Sequence, residues 1–86
     1  MNISIFGLGY VGAVTSACLA KTHNIIGVDP DPYKLSLIRA GKSPIIEEGL
    51  DELVSRMVKL GRIVATEHAQ EAVLRSDLSI VCVGTP

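Results

Sequence analysis

The chain has 86 residues, enough for one small domain, with a net charge of −1, 20% charged residues and 3% aromatics. With no basic stripe and few rings on which bases could stack, composition argues against a nucleic-acid partner. No apolar run approaches the roughly 20 residues of a membrane span, and Met1 leads straight into an apolar strand without the charged start of a secretory leader, so a cytoplasmic chain off the membrane is expected.

In chain order, residues 2–6 read as a short apolar strand that runs into Gly7-Leu8-Gly9-Tyr10-Val11-Gly12. A helix of small apolar residues is expected over 10–21, with Lys21 and His23 at its negative end, then a second strand over 25–28 closing on Asp29. Strand, glycine turn, helix, strand and acid in this order form a dinucleotide-binding pattern. Gly7 permits the tight turn, Gly9 lets a pyrophosphate reach the backbone, and Gly12 lets the helix pack close to the strand. The helix start offers free N–H groups to phosphates. Asp29, 22 residues after Gly7, stands where an acid meets the adenosine ribose.

Asp31 is a suitable N-cap and Pro32 a suitable first residue for a second helix over 32–40, ended by Gly41. Lys34 is either a solvated surface lysine or a contact to the adenosine end; spacing alone does not choose. Residues 43–49 form a loop. A third helix over 50–60 places Leu50, Leu53, Val54, Met57 and Leu60 on one face, read as core, and Gly61 ends it. A strand over 62–65, a helix over 67–75 capped by Thr66, and an apolar strand over 78–83 complete the chain. Cys18 and Cys82 sit in apolar segments where a buried, reduced thiol is inert, and neither is read as a nucleophile. His23 and His68 lack metal-ligand spacing and are read as solvated; no metal site is expected.

This alternation predicts a Rossmann-type α/β fold, a doubly wound parallel sheet in strand order 3-2-1-4 with helices on both faces. The crevice should lie between strands 1 and 4, where the glycine turn meets Gly84-Thr85-Pro86. A fourth strand left as a bare apolar edge is an aggregation hazard, so the expectation is a sheet truncated after its fourth strand, the front of a longer polypeptide. Asp29 would repel a 2′-phosphate, and no arginine follows it, so NAD is favoured over NADP; FAD ranks third, since its proteins usually place a glutamate there.

The opening Ile5-Phe6-Gly7-Leu8-Gly9-Tyr10-Val11-Gly12 resembles that of the nucleotide-sugar 6-dehydrogenases, the UDP-glucose and GDP-mannose dehydrogenase family. Gly27-Val28-Asp29, the segment from Gly41 to Leu50, and Val81-Cys82-Val83-Gly84-Thr85-Pro86 match in order and spacing, so the resemblance spans nearly the whole chain. Glu48 departs from it, where the family usually has proline. The resemblance implies oxidation of the sugar C6 alcohol to a carboxylate with two NAD, through a cysteine-bound thiohemiacetal and thioester. It implies that Tyr10 and Val11 meet the pyrophosphate through the backbone, that Asp29 and Lys34 hold the adenosine ribose, and that Thr85 lines the cofactor near its middle. It also implies that the nucleophilic cysteine, the catalytic lysine, the nucleotide-sugar contacts and the helix on which the homo-oligomer is built lie beyond Pro86. No catalytic residue is expected within the chain, and Cys82 does not match the nucleophile's motif. A non-enzymatic NAD-sensing module of an ion transport system would share the glycine turn and acid, but not the loop at 43–49 or the closing Gly84-Thr85-Pro86. A remnant of a truncated gene is a third reading.

Overall fold

The computed structural model describes residues 1–82. The strands are β1 (Asn2–Phe6), β2 (Asn24–Val28), β3 (Ile63–Thr66) and β4 (Leu78–Val81). The helices are α1 (Tyr10–Leu19), α2 (Pro32–Arg39), α3 (Leu50–Lys59) and α4 (Ala69–Arg75). The four strands form one parallel sheet in the order β3-β2-β1-β4, as the alternation predicts. Parallel strands need crossovers, and each here is made by helix. Helix α3 packs against both α1 and α2 on one face, while α4 packs on β1 and β2 from the other.

The core lies between the sheet and the three-helix face. Ile3 and Ile5 from β1, Ile25 from β2 and Ile63 and Ala65 from β3 meet Ala17 and Ala20, Leu35 and Ile38, and Leu50, Val54 and Met57 from the helices. Ile5, Leu8, Ile25, Leu35 and Val54 are fully buried, and each such side chain contributes about 1.5–3 kcal/mol relative to exposure. Small residues on the buried side of α1 bring its axis close to the sheet.

The second face is more polar. Ser4 of β1 is fully buried there, and its hydroxyl hydrogen-bonds Ser79 at 2.6 Å and Ser76 at 3.0 Å. Ser4 and Ser79 are register partners on β1 and β4. The backbone of Asn2 and Asp77 adds a clamp: Asp77 N–H donates to Asn2 C=O at 2.7 Å, and Asn2 N–H donates to the Asp77 carboxylate at 2.9 Å. Together these contacts fix where β4 starts.

Several boundaries differ from the sequence reading. Helix α1 stops at Leu19, leaving Lys21 and His23 in the connection to β2 with no basic residue in the last turn. Strand β3 is shifted by one residue to include Thr66, which pairs with Val28. Thr66 is therefore not the cap of α4. Its hydroxyl accepts from the His68 N–H at 3.0 Å, a local turn that delays the helix to Ala69. Leu60 stands past the end of α3 and is exposed rather than core, because Gly61 at φ +74° turns the chain away. Of the predicted last strand, Cys82 falls beyond β4, and Val83 lies outside the described residues.

Candidate functional site

The glycine turn is assembled by a small set of contacts at the C-terminal ends of β1 and β2. Gly7 adopts φ +98°, a region that L side chains rarely enter, so the chain can leave β1 and reverse into α1. Gly7 N–H donates to Val28 C=O at 2.9 Å, holding the turn against β2. Leu8 then points inward and is fully buried beneath the turn, against Gly27 of β2. A methyl at Gly27 would come within 3.1 Å of the Leu8 side chain, so that glycine makes room for the plug. A methyl on Gly12 would collide with the Gly7 carbonyl, which is the close helix–strand approach expected there. Gly12 thus supports the turn from beneath and does not itself face the crevice.

Gly9 differs in kind. It has φ −75°, open to any residue, and a methyl there would meet nothing within 4 Å. Its Cβ direction points into open space, and Gly9 lines a crevice of about 860 Å³. Gly9 is the N-cap of α1 and supplies no side-chain hydrogen bond, and no acid lies in the first helical turn. The first N–H groups of a helix have no partner within it and carry its positive end. Here they border the crevice without a side-chain acceptor, an arrangement suited to an anionic group such as a pyrophosphate.

Asp29 sits at the far side of this turn and is only 6% exposed. One carboxylate oxygen accepts from the Leu8 N–H at 2.8 Å, and the other accepts from the Asp31 N–H at 2.9 Å. Lys34 Nζ lies 3.9 Å from the first. A carboxylate has about four lone-pair positions, so capacity remains for hydroxyl donors after both N–H contacts. The sequence reading missed that Asp29 builds the turn as well as facing the crevice. Tyr10 is mostly exposed and donates its hydroxyl to Glu47 of the 43–49 loop at 3.4 Å.

Gly7, Gly9, Tyr10, Val11, Asp29 and Lys34 all line the crevice. Thr85 lies outside the described residues. The crevice also takes Pro30, Glu67, Ala69, Val81 and Cys82, which the sequence reading did not place there. The parallel register that sets Val28 beside Thr66 is the signal for Glu67: the residues that follow each partner leave adjacent strand ends. Cys18 is exposed on α1 and Cys82 half-buried, so neither thiol has the full burial expected of it; an apolar neighbourhood in sequence did not guarantee a neighbour in space. His68 is exposed and His23 partly so. Among the described residues no group of three or more His, Cys, Asp or Glu could hold a metal ion, and no helix is long and apolar enough to cross a membrane.

Comparison with known proteins decides what this geometry belongs to. The model of the UDP-glucose/GDP-mannose dehydrogenase family, NAD binding domain, matches residues 1–86. The chain belongs to this family. Its cofactor is accordingly NAD, and the residues present fit that group: a helix start without a cap, an open cradle at Gly9, and a carboxylate at the end of β2. The chain is 54% identical over its whole length to GDP-mannose 6-dehydrogenase of Azotobacter vinelandii, and 42% identical to UDP-glucose 6-dehydrogenase of Rhizobium meliloti. Both alignments cover 100% of this chain and 20% of the relative, so the chain spans about a fifth of their length. A crystal structure of a ternary complex of GDP-mannose dehydrogenase from Pseudomonas aeruginosa superposes with a TM-score of 0.97 at 53% identity, over 100% of this chain and 20% of that one. The nucleotide-sugar dehydrogenase resemblance, the parallel 3-2-1-4 fold and the NAD assignment all hold.

Proposed function

We propose that residues 1–86 are the N-terminal part of the NAD-binding domain of a GDP-mannose 6-dehydrogenase, an oxidoreductase that converts the sugar C6 alcohol to the acid with two NAD. The observation that carries the NAD-binding part of this reading is the open space over Gly9 at the start of α1, which has no side-chain cap, beside Asp29. In this reading the Tyr10 and Val11 backbone N–H groups receive the pyrophosphate. Asp29, steadied by Leu8 N–H and Asp31 N–H, accepts from the adenosine ribose hydroxyls. Lys34 lies beside that carboxylate and completes the ribose end, and Thr85 lines the cofactor near its middle. When bound, NAD supplies the hydride acceptor. The chain's own residues bind and orient it, and none is assigned a catalytic role. The nucleotide sugar and the homo-oligomer contacts belong to other parts of the protein, and the cytoplasm is the proposed location.

The GDP-mannose assignment rests on the higher identity to GDP-mannose 6-dehydrogenases than to UDP-glucose 6-dehydrogenases. A chimera tests it. This chain replaces the matching segment of the Azotobacter vinelandii enzyme, and NADH formation with GDP-mannose is followed by absorbance; the Rhizobium meliloti enzyme receives the same replacement and UDP-glucose. Higher kcat/KM relative to the parent in the GDP-mannose enzyme supports the reading. Inactivity of two folded chimeras, or better function in the UDP-glucose enzyme, contradicts it.

A further inference from the structure

The adenosine end of the crevice holds a second carboxylate. Val28 and Thr66 are register partners on β2 and β3, and Asp29 N–H donates to Thr66 C=O at 3.3 Å. Asp29 and Glu67 therefore leave neighbouring strand ends, and neighbouring strands lie about 5 Å apart. Both residues line the same crevice. Asp29 is buried and already engaged by two N–H donors, whereas Glu67 is exposed. Lys34 is the one lysine or arginine among the described residues that line the crevice, and it lies against Asp29. The basic group recorded against Glu67 is the His68 ring, 3.8 Å away and charged only when protonated. The charge of Asp29 is thus partly offset and that of Glu67 is not offset by any lysine or arginine lining the site.

From this asymmetry we infer that Glu67 is a second determinant of cofactor choice, acting through its charge to disfavour a 2′-phosphate on the adenosine ribose. The inference rests on the proposal that the ribose lies at Asp29. Asp29 discriminates by direct contact, accepting from the 2′-hydroxyl that the phosphate ester replaces. Glu67 discriminates at longer range, because a 2′-phosphate brings nearly two negative charges toward an exposed carboxylate. A long-range effect of this kind is sensitive to ionic strength, whereas the hydrogen bonds of a buried carboxylate are much less so.

The test is calorimetric titration of the 86-residue chain with NAD and NADP, comparing the parent with Glu67→Gln, Glu67→Asp, Asp29→Asn and Glu71→Gln. Glu71 lies on α4 against Arg75, away from the crevice, and changes net charge by the same amount. Glu67→Gln lowers the ratio of the NADP to the NAD dissociation constant by about three- to fivefold at low salt, and this change fades near 1 M salt, where the screening length is about 3 Å. Glu67→Asp keeps the parent's ratio. An unchanged ratio in Glu67→Gln, or an equal change in Glu71→Gln, overturns the inference. If Asp29→Asn alters the ratio while Glu67→Gln does not, Glu67 is excluded and the ribose placement stands. If neither alters it, the ribose placement fails as well.

Discussion

Replacing Gly9 by alanine separates binding from folding. The backbone at Gly9 has φ −75°, so an L side chain introduces no strain, and its Cβ enters empty space. Two small effects on stability then oppose each other. Alanine is a poorer N-cap than glycine by about 0.5–1 kcal/mol. Against this, removing a glycine restricts the unfolded chain and returns about 0.4–1 kcal/mol. The net change should lie within about 0.5 kcal/mol, a shift in Tm of no more than about 4 °C for a domain of this size. Binding responds differently, because the new methyl occupies the space at the uncapped helix start that the pyrophosphate is proposed to fill. Loss of one charge-assisted hydrogen bond costs about 1.5–3 kcal/mol, which is a roughly 10- to 150-fold weaker Kd for NAD. Thermal melting followed by circular dichroism and calorimetric titration give both quantities on the same sample. A folded Gly9→Ala chain that binds NAD within about twofold of the parent would refute the placement of the phosphates over this turn.

Gly12→Ala should do the reverse: the new methyl meets the Gly7 carbonyl, so stability falls by about 1–3 kcal/mol in urea titration before any question of binding arises. Asp29→Ala leaves the Leu8 N–H without its buried acceptor and should cost about 1–3 kcal/mol in the same assay, whereas Asp29→Asn retains an acceptor oxygen and loses less. Both variants weaken NAD binding and its preference over NADP in calorimetry. Ile5→Ala opens the centre of the core and should cost about 2–5 kcal/mol, read as a lower urea midpoint at unchanged slope.

The glycine turn was legible in the sequence because it is local: three glycines, a flanking strand and an acid at fixed spacing describe a single strand–helix–strand unit. Strand order was legible for a similar reason, since right-handed crossovers leave few alternatives. What escaped depends on contacts between distant segments. The start of α4 was misplaced because Thr66 is recruited into β3 by Val28, and its hydroxyl serves a turn instead of a helix cap. The hydrogen bonds that join buried Ser4 to Ser76 and Ser79 need β1 and β4 in register, and the serines themselves carry no sign of it. Leu60 continues the apolar stripe of α3 in sequence but falls beyond the helix once Gly61 turns the chain. The second role of Asp29, holding Leu8 N–H, likewise follows only when β1 and β2 lie side by side.

An amide NMR titration of the isotopically labelled 86-residue chain with NAD tests directly whether the cofactor lies over the glycine turn. With the pyrophosphate over the turn and the ribose at Asp29, the amides of Gly7, Gly9, Tyr10, Val11 and Asp29 shift together and saturate with one Kd, while those of α3 stay in place. A well-dispersed spectrum in which saturating NAD moves none of these amides, or moves mainly those of α3, would contradict it.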